Sequence, residues 1–314
     1  MTNICNLPYF EIEIDQFGNL VDPFPVNKLP LARKHDLFVM SHGWNSDMSD
    51  ARDLYTRFFT QFSQTLGTYA AAGVTSQQCA VMGILWPSEK YVDASEIPGG
   101  AAGLLSDAGM LLRTTTYHLM KDRAGIVGRG GVASTLDRIQ SAFPGIRIHL
   151  AGHSFGCRVI TAAAAVTAKP VASMTLLQAA FSHNSFSPDY DSTHQPGAFR
   201  DVVTGRKCAG PMLVTHSVND EALRLCYPIA SRILGQNSSS LGDANDLYGA
   251  LGRNGALHTP EASDGDLLPE GAGYSLTPGR IFNLRADRII QAHADIVKPE
   301  TAWALIAAAG LGRV

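Results

Sequence analysis

At 314 residues with 45% hydrophobic content, the chain is long enough to bury a substantial core. Its formal charge of −3, with no basic run and no stripe of interleaved aromatics, excludes nucleic acid or an anionic membrane as the main partner and favours small uncharged substrates. Five scattered cysteines (Cys5, Cys79, Cys157, Cys208, Cys226) lack CxxC spacing, which excludes a zinc cluster and suits free thiols of a reducing compartment.

The opening MTNICNLPYFEIEIDQFGNL has neither a basic n-region nor an apolar h-region, and no run of about 18 apolar residues follows. The chain therefore reads as soluble and cytoplasmic, with export by a signal-less route left open. Residues 9–21 alternate apolar and polar about Phe17-Gly18-Asn19, predicting an opening hairpin. In DLFVMSHGW (36–44) the apolar run Leu37 to Met40 is continuous, as expected of a strand covered on both faces. Residues 46–66 space Leu54, Phe58, Phe62 and Leu66 by four, predicting an amphipathic helix capped by Ser46 or Ser49.

Further strands are predicted at AVMGILW (80–86), RIHLA (147–151), SMTLLQAAF (173–181), GPMLVTHS (210–217) and RIFNL (280–284). Short apolar strands alternating with helical segments predict βαβ units and a mostly parallel sheet with helices on both faces. Three stretches interrupt the alternation, 88–145, 182–209 and 236–279, and one of them is a candidate cap or lid on a single domain spanning 1–314.

RIHLAGHSFGCRVITAAAAV (147–166) sets Ser154 between Gly152 and Gly156, after an apolar strand and before an alanine-rich helix expected over Arg158 to Ala168. The bare GxSxG pattern is weak; the strand, turn and helix around it are what count. A nucleophile must stand clear of the sheet, and a strained strand-to-helix turn lifts it there, with glycines where side chains would collide. The alternative is a small polar residue in a structural turn.

With that context the stretch resembles the nucleophile elbow of the α/β-hydrolase superfamily, and the strand order from about residue 36 to 310 is similar too, apart from the three interruptions. The resemblance implies an α/β-hydrolase fold, a serine nucleophile at Ser154, and one oxyanion donor at the backbone N–H of Phe155. A second donor is expected from the loop after an early strand, here His42-Gly43-Trp44; Trp44 is the candidate and Asn45 its rival. The bland alternative is that Trp44 packs and Gly43 turns. The HGGG variant is absent, which disfavours the bulky-ester group that uses it.

Family order places the acid after the strand two beyond the elbow strand and the histidine after the last strand. Asp220, directly after strand 212–217, is the leading acid; Asp189 or Asp191 is the runner-up, Glu221 is expected to turn away, and the alternative role for Asp220 is a helix N-cap. Of the two downstream histidines, His293 follows RIFNL whereas His258 precedes it, so His293 is the expected base. His42 and His153 read as scaffold, and His35, His118, His149, His183, His194 and His216 as surface or hydrogen-bonded residues.

The implied activity is a serine hydrolase cleaving carboxylic esters, lipid esters among them, through a Ser154-Asp220-His293 triad and an acyl-enzyme, with no cofactor and no metal. Amide cleavage or acyl transfer by the same triad, and a non-catalytic binding module on the same fold, are the alternatives. Asp243, Asn245 and Asp246, like Asp264 and Asp266, match no defensible calcium-ligand spacing. The stripe Leu104, Leu105, Ala108, Leu111 and Leu112 reads as a core-facing helix, with a lid or acyl pocket as the rival. Cys157, at the helix start, reads as a structural thiol packed against the sheet.

Overall fold

A computed structural model describes residues 2–44, 46–88, 107–190, 194–224 and 249–312. Outside them lie Asn45, Leu104, Leu105, Asp191, Cys226, Asp243, Asn245 and Asp246. Nothing is described of the side chains of Ala108, Leu111 and Leu112, so the expected stripe lies outside the described part as well.

Among the described residues nine strands form one sheet: β1 (Thr2–Ile4), β2 (Leu7–Glu13), β3 (Asp36–Ser41), β4 (Cys79–Leu85), β5 (Arg147–His153), β6 (Ser173–Leu177), β7 (Met212–His216), β8 (Ala262–Asp266) and β9 (Ile281–Arg285). Their order is β1-β2-β4-β3-β5-β6-β7-β9-β8. Only β1 pairs antiparallel, with β2; every other pairing is parallel. This sheet, with a helix entered directly from the end of β5, is an α/β-hydrolase fold.

The continuous apolar runs follow from burial on two faces. In β3, Leu37 and Val39 join one core cluster while Phe38 and Met40 join another on the opposite face. Helix α1 (Met48–Tyr69) covers the second face with Tyr55, Phe58, Phe59, Phe62 and Leu66. Leu54, expected in that stripe, is half-buried beside it. Helix α2 (Asp107–Val127), a π-turn over Gly128–Val132, α3 (Ala133–Ala142) and α4 (Phe155–Val166) cover the first face. Short helices α5 (Arg200–Thr204) and α6 (Leu251–Asn254) follow, and α7 (Pro299–Ala308) lies beside α1. In α4, Ala162, Ala163 and Ala164 are fully buried, and the π-turn passes so close that a Cβ on Gly128 would meet the Val159 carbonyl oxygen at 2.2 Å.

Three local expectations change. The N-cap of α1 is Asp47, whose side chain accepts from Asp50 N–H at 2.7 Å while Asp50 accepts from Asp47 N–H at 3.2 Å; a carboxylate at this cap also meets the positive end of the helix dipole. The opening hairpin is β1–β2, turned by Cys5 and Asn6 at φ 46° and 69°, the two left-handed residues that match the twist of a two-residue hairpin. The loop about Gly18 returns only as far as one bridge, Ile14 to Leu20, because β2 continues as a parallel neighbour of β4. The helix after the elbow begins at Phe155, directly on the serine, rather than at Arg158.

Candidate active site

Ser154 caps the end of β5 with φ 57° and ψ −122°, a left-handed conformation that costs a non-glycine residue on the order of 1 kcal/mol or more. Hydrogen bonds to the adjacent strand lock the turn: Ser154 N–H donates to Leu177 O at 3.1 Å, and Ala180 N–H donates to Ser154 O at 3.1 Å. A Cβ on Gly156 would lie 2.2 Å from Ser41 O and 2.4 Å from His42 O, and one on Gly152 would lie 2.7 Å from Cys157 N. Only glycine permits the first turn of α4 to abut the end of β3 and the strand to double back on its own helix.

His293 sits in the loop between β9 and α7, and Asp220 in the loop after β7. Ser217 Oγ donates to Ile290 O at 2.9 Å, Asn219 Nδ2 donates to Asp287 O at 2.7 Å, and Val218 N–H donates to Asp287 Oδ1 at 2.9 Å, so the two loops are tied to each other. His293 Nδ1 lies 2.7 Å from Asp220 Oδ2 and its Nε2 lies 2.8 Å from Ser154 Oγ. A carboxylate only accepts, which assigns the imidazole proton to Nδ1 and leaves Nε2 to accept from the serine hydroxyl. Asp220 is fully buried, whereas the His293 side chain is 23% exposed, so the chain of bonds runs from the interior to the surface.

Burial pushes the Asp220 carboxyl upward. The hydrogen bond and charge of His293, the Leu223 N–H at 2.9 Å on Oδ1, and Gln178 Nε2 at 2.9 Å on Oδ2 outweigh it and hold the group below the usual carboxylate range. Asp220 thus also performs the capping role weighed against it: Oδ1 caps the helical turn from residue 221 while Oδ2 faces His293. Glu221 turns away, as expected, to pair with Arg224 at 2.7 Å.

The HGW loop lies over the serine, since a Cβ on Gly43 would come within 2.8 Å of Ser154 Cβ. His42 anchors it. Its backbone N–H donates to Tyr55 Oη at 2.8 Å, its Nδ1 donates to Gly43 O at 2.9 Å, and its Nε2 accepts from Trp86 N–H at 3.3 Å. Burial drives the His42 imidazole down to about 4, keeping the neutral tautomer these bonds require. The indole of Trp44 packs edge-on against Phe155, ring centroids 5.9 Å apart. No hydrogen bond occupies the backbone N–H of Trp44 or of Phe155 among the described residues.

The other candidates lie elsewhere. Asp189 is half-exposed and bonds His194 at 2.7 Å. His258 is exposed, with Nδ1 2.8 Å from Asn184 Oδ1. Cys157 is buried, its Sγ donating to Gly152 O at 3.0 Å, and burial raises its thiol well above the ordinary range. No group of three or more His, Cys, Asp or Glu side chains among the described residues could hold a metal ion, and no helix among them is long and apolar enough to cross a membrane.

Two further residues touch the site: His153, read from the sequence as scaffold, and Gln178, to which the sequence assigns no role. The His153 ring packs 4.9 Å from that of His293, and its Nε2 donates to His293 O at 2.9 Å; burial, with the nearby His293 charge, drives His153 down to about 3. Gln178, directly after β6, reaches Asp220. No signal within SMTLLQAAF singles it out. Two grooves of the described surface, about 1000 Å³ beside Lys28, Arg129 and Arg138 and about 760 Å³ beside Arg206, Glu261 and Arg280, are lined by none of the residues that contact Ser154. The bond geometry, rather than cavity size, locates the candidate site.

No family model matches the chain, and no curated protein matches it. Among solved structures it is similar to TT1662 from Thermus thermophilus, at 14% identity and a TM-score of 0.40 over 87% of this chain and 88% of that one. It is also similar to LpqC, a poly(3-hydroxybutyrate) depolymerase from Bordetella parapertussis, at 12% identity and a TM-score of 0.39 over 90% and 81%.

Proposed function

We propose that the protein is a serine hydrolase of carboxylic esters, with Ser154 as nucleophile, His293 as general base and Asp220 as the acid that orients it. The observation that carries this reading is the bond chain Ser154 Oγ to His293 Nε2 at 2.8 Å and His293 Nδ1 to Asp220 Oδ2 at 2.7 Å, ending on a serine at a strained turn. In the reaction, Nε2 takes the hydroxyl proton as Oγ bonds the acyl carbon. Asp220 stabilises the imidazolium, which then protonates the leaving alkoxide. The N–H groups of Phe155 and Trp44, unspent on internal bonds, are the donors for the oxyanion. Water activated by His293 then attacks the acyl-enzyme, freeing the acid and returning the proton to Ser154.

Covalent labelling of the purified protein by a fluorophosphonate, followed by p-nitrophenyl esters of graded chain length, tests the reading. Labelling that maps to Ser154, with turnover of at least one ester, is the expected result. Absence of labelling would favour a binding module on the same fold, and turnover of anilides over esters would move the assignment to amide cleavage.

A further inference from the structure

Gln178 is fully buried at the end of β6 and holds φ 48°, a left-handed conformation in a residue that is not glycine. All its side-chain polar atoms are engaged. Nε2 donates to Asp220 Oδ2 at 2.9 Å and to Gly252 O at 3.0 Å, and Oε1 accepts from Thr215 Oγ1 at 3.1 Å. Because a carboxylate and a carbonyl can only accept, this environment fixes which end of the amide is nitrogen. The backbone N–H of Gln178 donates to Thr215 Oγ1 at 3.2 Å, so Thr215 of β7 grips both the side chain and the main chain of the same residue.

Oδ2 of Asp220 therefore receives two N–H donors, His293 Nδ1 and Gln178 Nε2, while Oδ1 receives one from Leu223. Turning the carboxylate about its Cβ–Cγ bond would break all three. Without Gln178 the buried oxygen would lose one of two donors, and the aim of the carboxylate at the imidazole would rest on the cap bond alone. We propose that Gln178 is a positioning residue of the reaction, holding Asp220 Oδ2 on His293 Nδ1 through an amide braced by Thr215 and Gly252. The inference rests on the Ser154-His293-Asp220 reading.

The test begins with fluorophosphonate labelling of the wild-type protein and of Ser154→Ala. Labelling that persists in Ser154→Ala overturns the triad reading and the role of Gln178 with it. With labelling confined to Ser154, kcat and KM are measured for Gln178→Met, Asp220→Ala and the double variant. Gln178→Met is expected to lower kcat about 10- to 100-fold, as loss of an outer partner of a functional ligand does, with KM nearly unchanged and no further loss in the Asp220→Ala background. An equal loss in both backgrounds overturns the proposal, because a purely structural defect would not depend on Asp220.

Gln178→Glu, close in shape, serves if the methionine variant fails to fold. A protonated glutamic acid can still donate to Oδ2, whereas its carboxylate would repel it. The pH profile of kcat is expected to acquire an ionisation absent from the wild type, with activity falling as pH rises through it. A profile superimposable on that of the wild type would refute the positioning role.

Discussion

Two Ser-His-Asp chains of hydrogen bonds stand at opposite ends of the same sheet, and both use β5. At the carboxyl ends of the strands lie Ser154, His293 and Asp220; at the amino ends, Ser173 Oγ lies 2.8 Å from His149 Nδ1, and His149 Nε2 lies 3.0 Å from Asp36 Oδ1. The distances hardly differ. What differs is everything around them. Ser173 sits within a regular strand opposite His149, its backbone engaged in the ladder, and His149 is 1% exposed beneath a stacked Phe38 ring. Asp36 is already paired with Arg147 at 2.6 Å, so its charge is matched by a permanent cation. Ser154 sits on a left-handed turn outside the ladder, with unspent N–H groups at Phe155 and Trp44 and a partly exposed histidine. The spacing of three side chains therefore does not distinguish a nucleophile from a structural network. A strained turn and unspent donors are what set the Ser154 chain apart.

The widest separation between the two chains is expected in activity. Ser154→Ala should abolish labelling and ester turnover, whereas Ser173→Ala should keep turnover and lower stability by about 1–2 kcal/mol, since it leaves a buried imidazole nitrogen without a partner. Labelling and urea denaturation of both variants check this; activity lost equally in both would erase the contrast. Next, His293→Ala is expected to cost several orders of magnitude in kcat and Asp220→Asn about a thousandfold or more, without adding to each other. His258→Ala and Asp189→Asn should remain near wild type. Collapse of Asp189→Asn with survival of Asp220→Asn would move the acid to the earlier strand.

Asp36→Asn should destabilise the fold by about 1–3 kcal/mol, the cost of weakening hydrogen bonds at a buried charged group whose partner Arg147 is half-exposed and so is not left as an unpaired buried charge, while kcat per folded molecule holds. A changed kcat would mean that the two ends of β5 communicate. Stability should also depend on pH through the buried histidines. Burial holds His42 at about 4 and His153 at about 3, and also lowers His149, so between about pH 6.5 and 4 the unfolded chain binds more protons than the native one. Stability is therefore complete above pH 6.5 and falls with acidity through that window, by about 1.4 kcal/mol per pH unit for each of His42 and His153. Urea midpoints at pH 7 and 5 measure it, and His153→Gln should flatten the slope; an unchanged slope would show that His153 is not buried neutral. The smallest effect is expected from Cys157→Ala, whose turnover should stay within a few-fold of wild type.

Strands covered on both faces were legible because their apolar runs are continuous: Leu37 to Met40 and Leu213-Val214 leave little else for the chain to do. β1 and β8 were not, since β1 is three residues long and β8 is ASDGD, an edge strand with no apolar residue but Ala262. The turn at Ser154 was legible because a short-range steric pattern, glycine on either side between strand and helix, must be written locally. Gln178 was not, because nothing within SMTLLQAAF distinguishes a glutamine that points at a carboxylate 42 residues away.

The sequence by itself determined the layered fold, the elbow and the short list of acids and bases, since patterning, turn chemistry and chain order act over a few residues or one strand. Only the tertiary structure decided that Asp220 rather than Asp189 meets His293, that His153 and Gln178 brace the pair, and that Ser173, His149 and Asp36 form a second, closed network. Those outcomes depend on which strand ends the sheet order brings together and which backbone donors the ladder leaves unspent, and neither is encoded within any one segment.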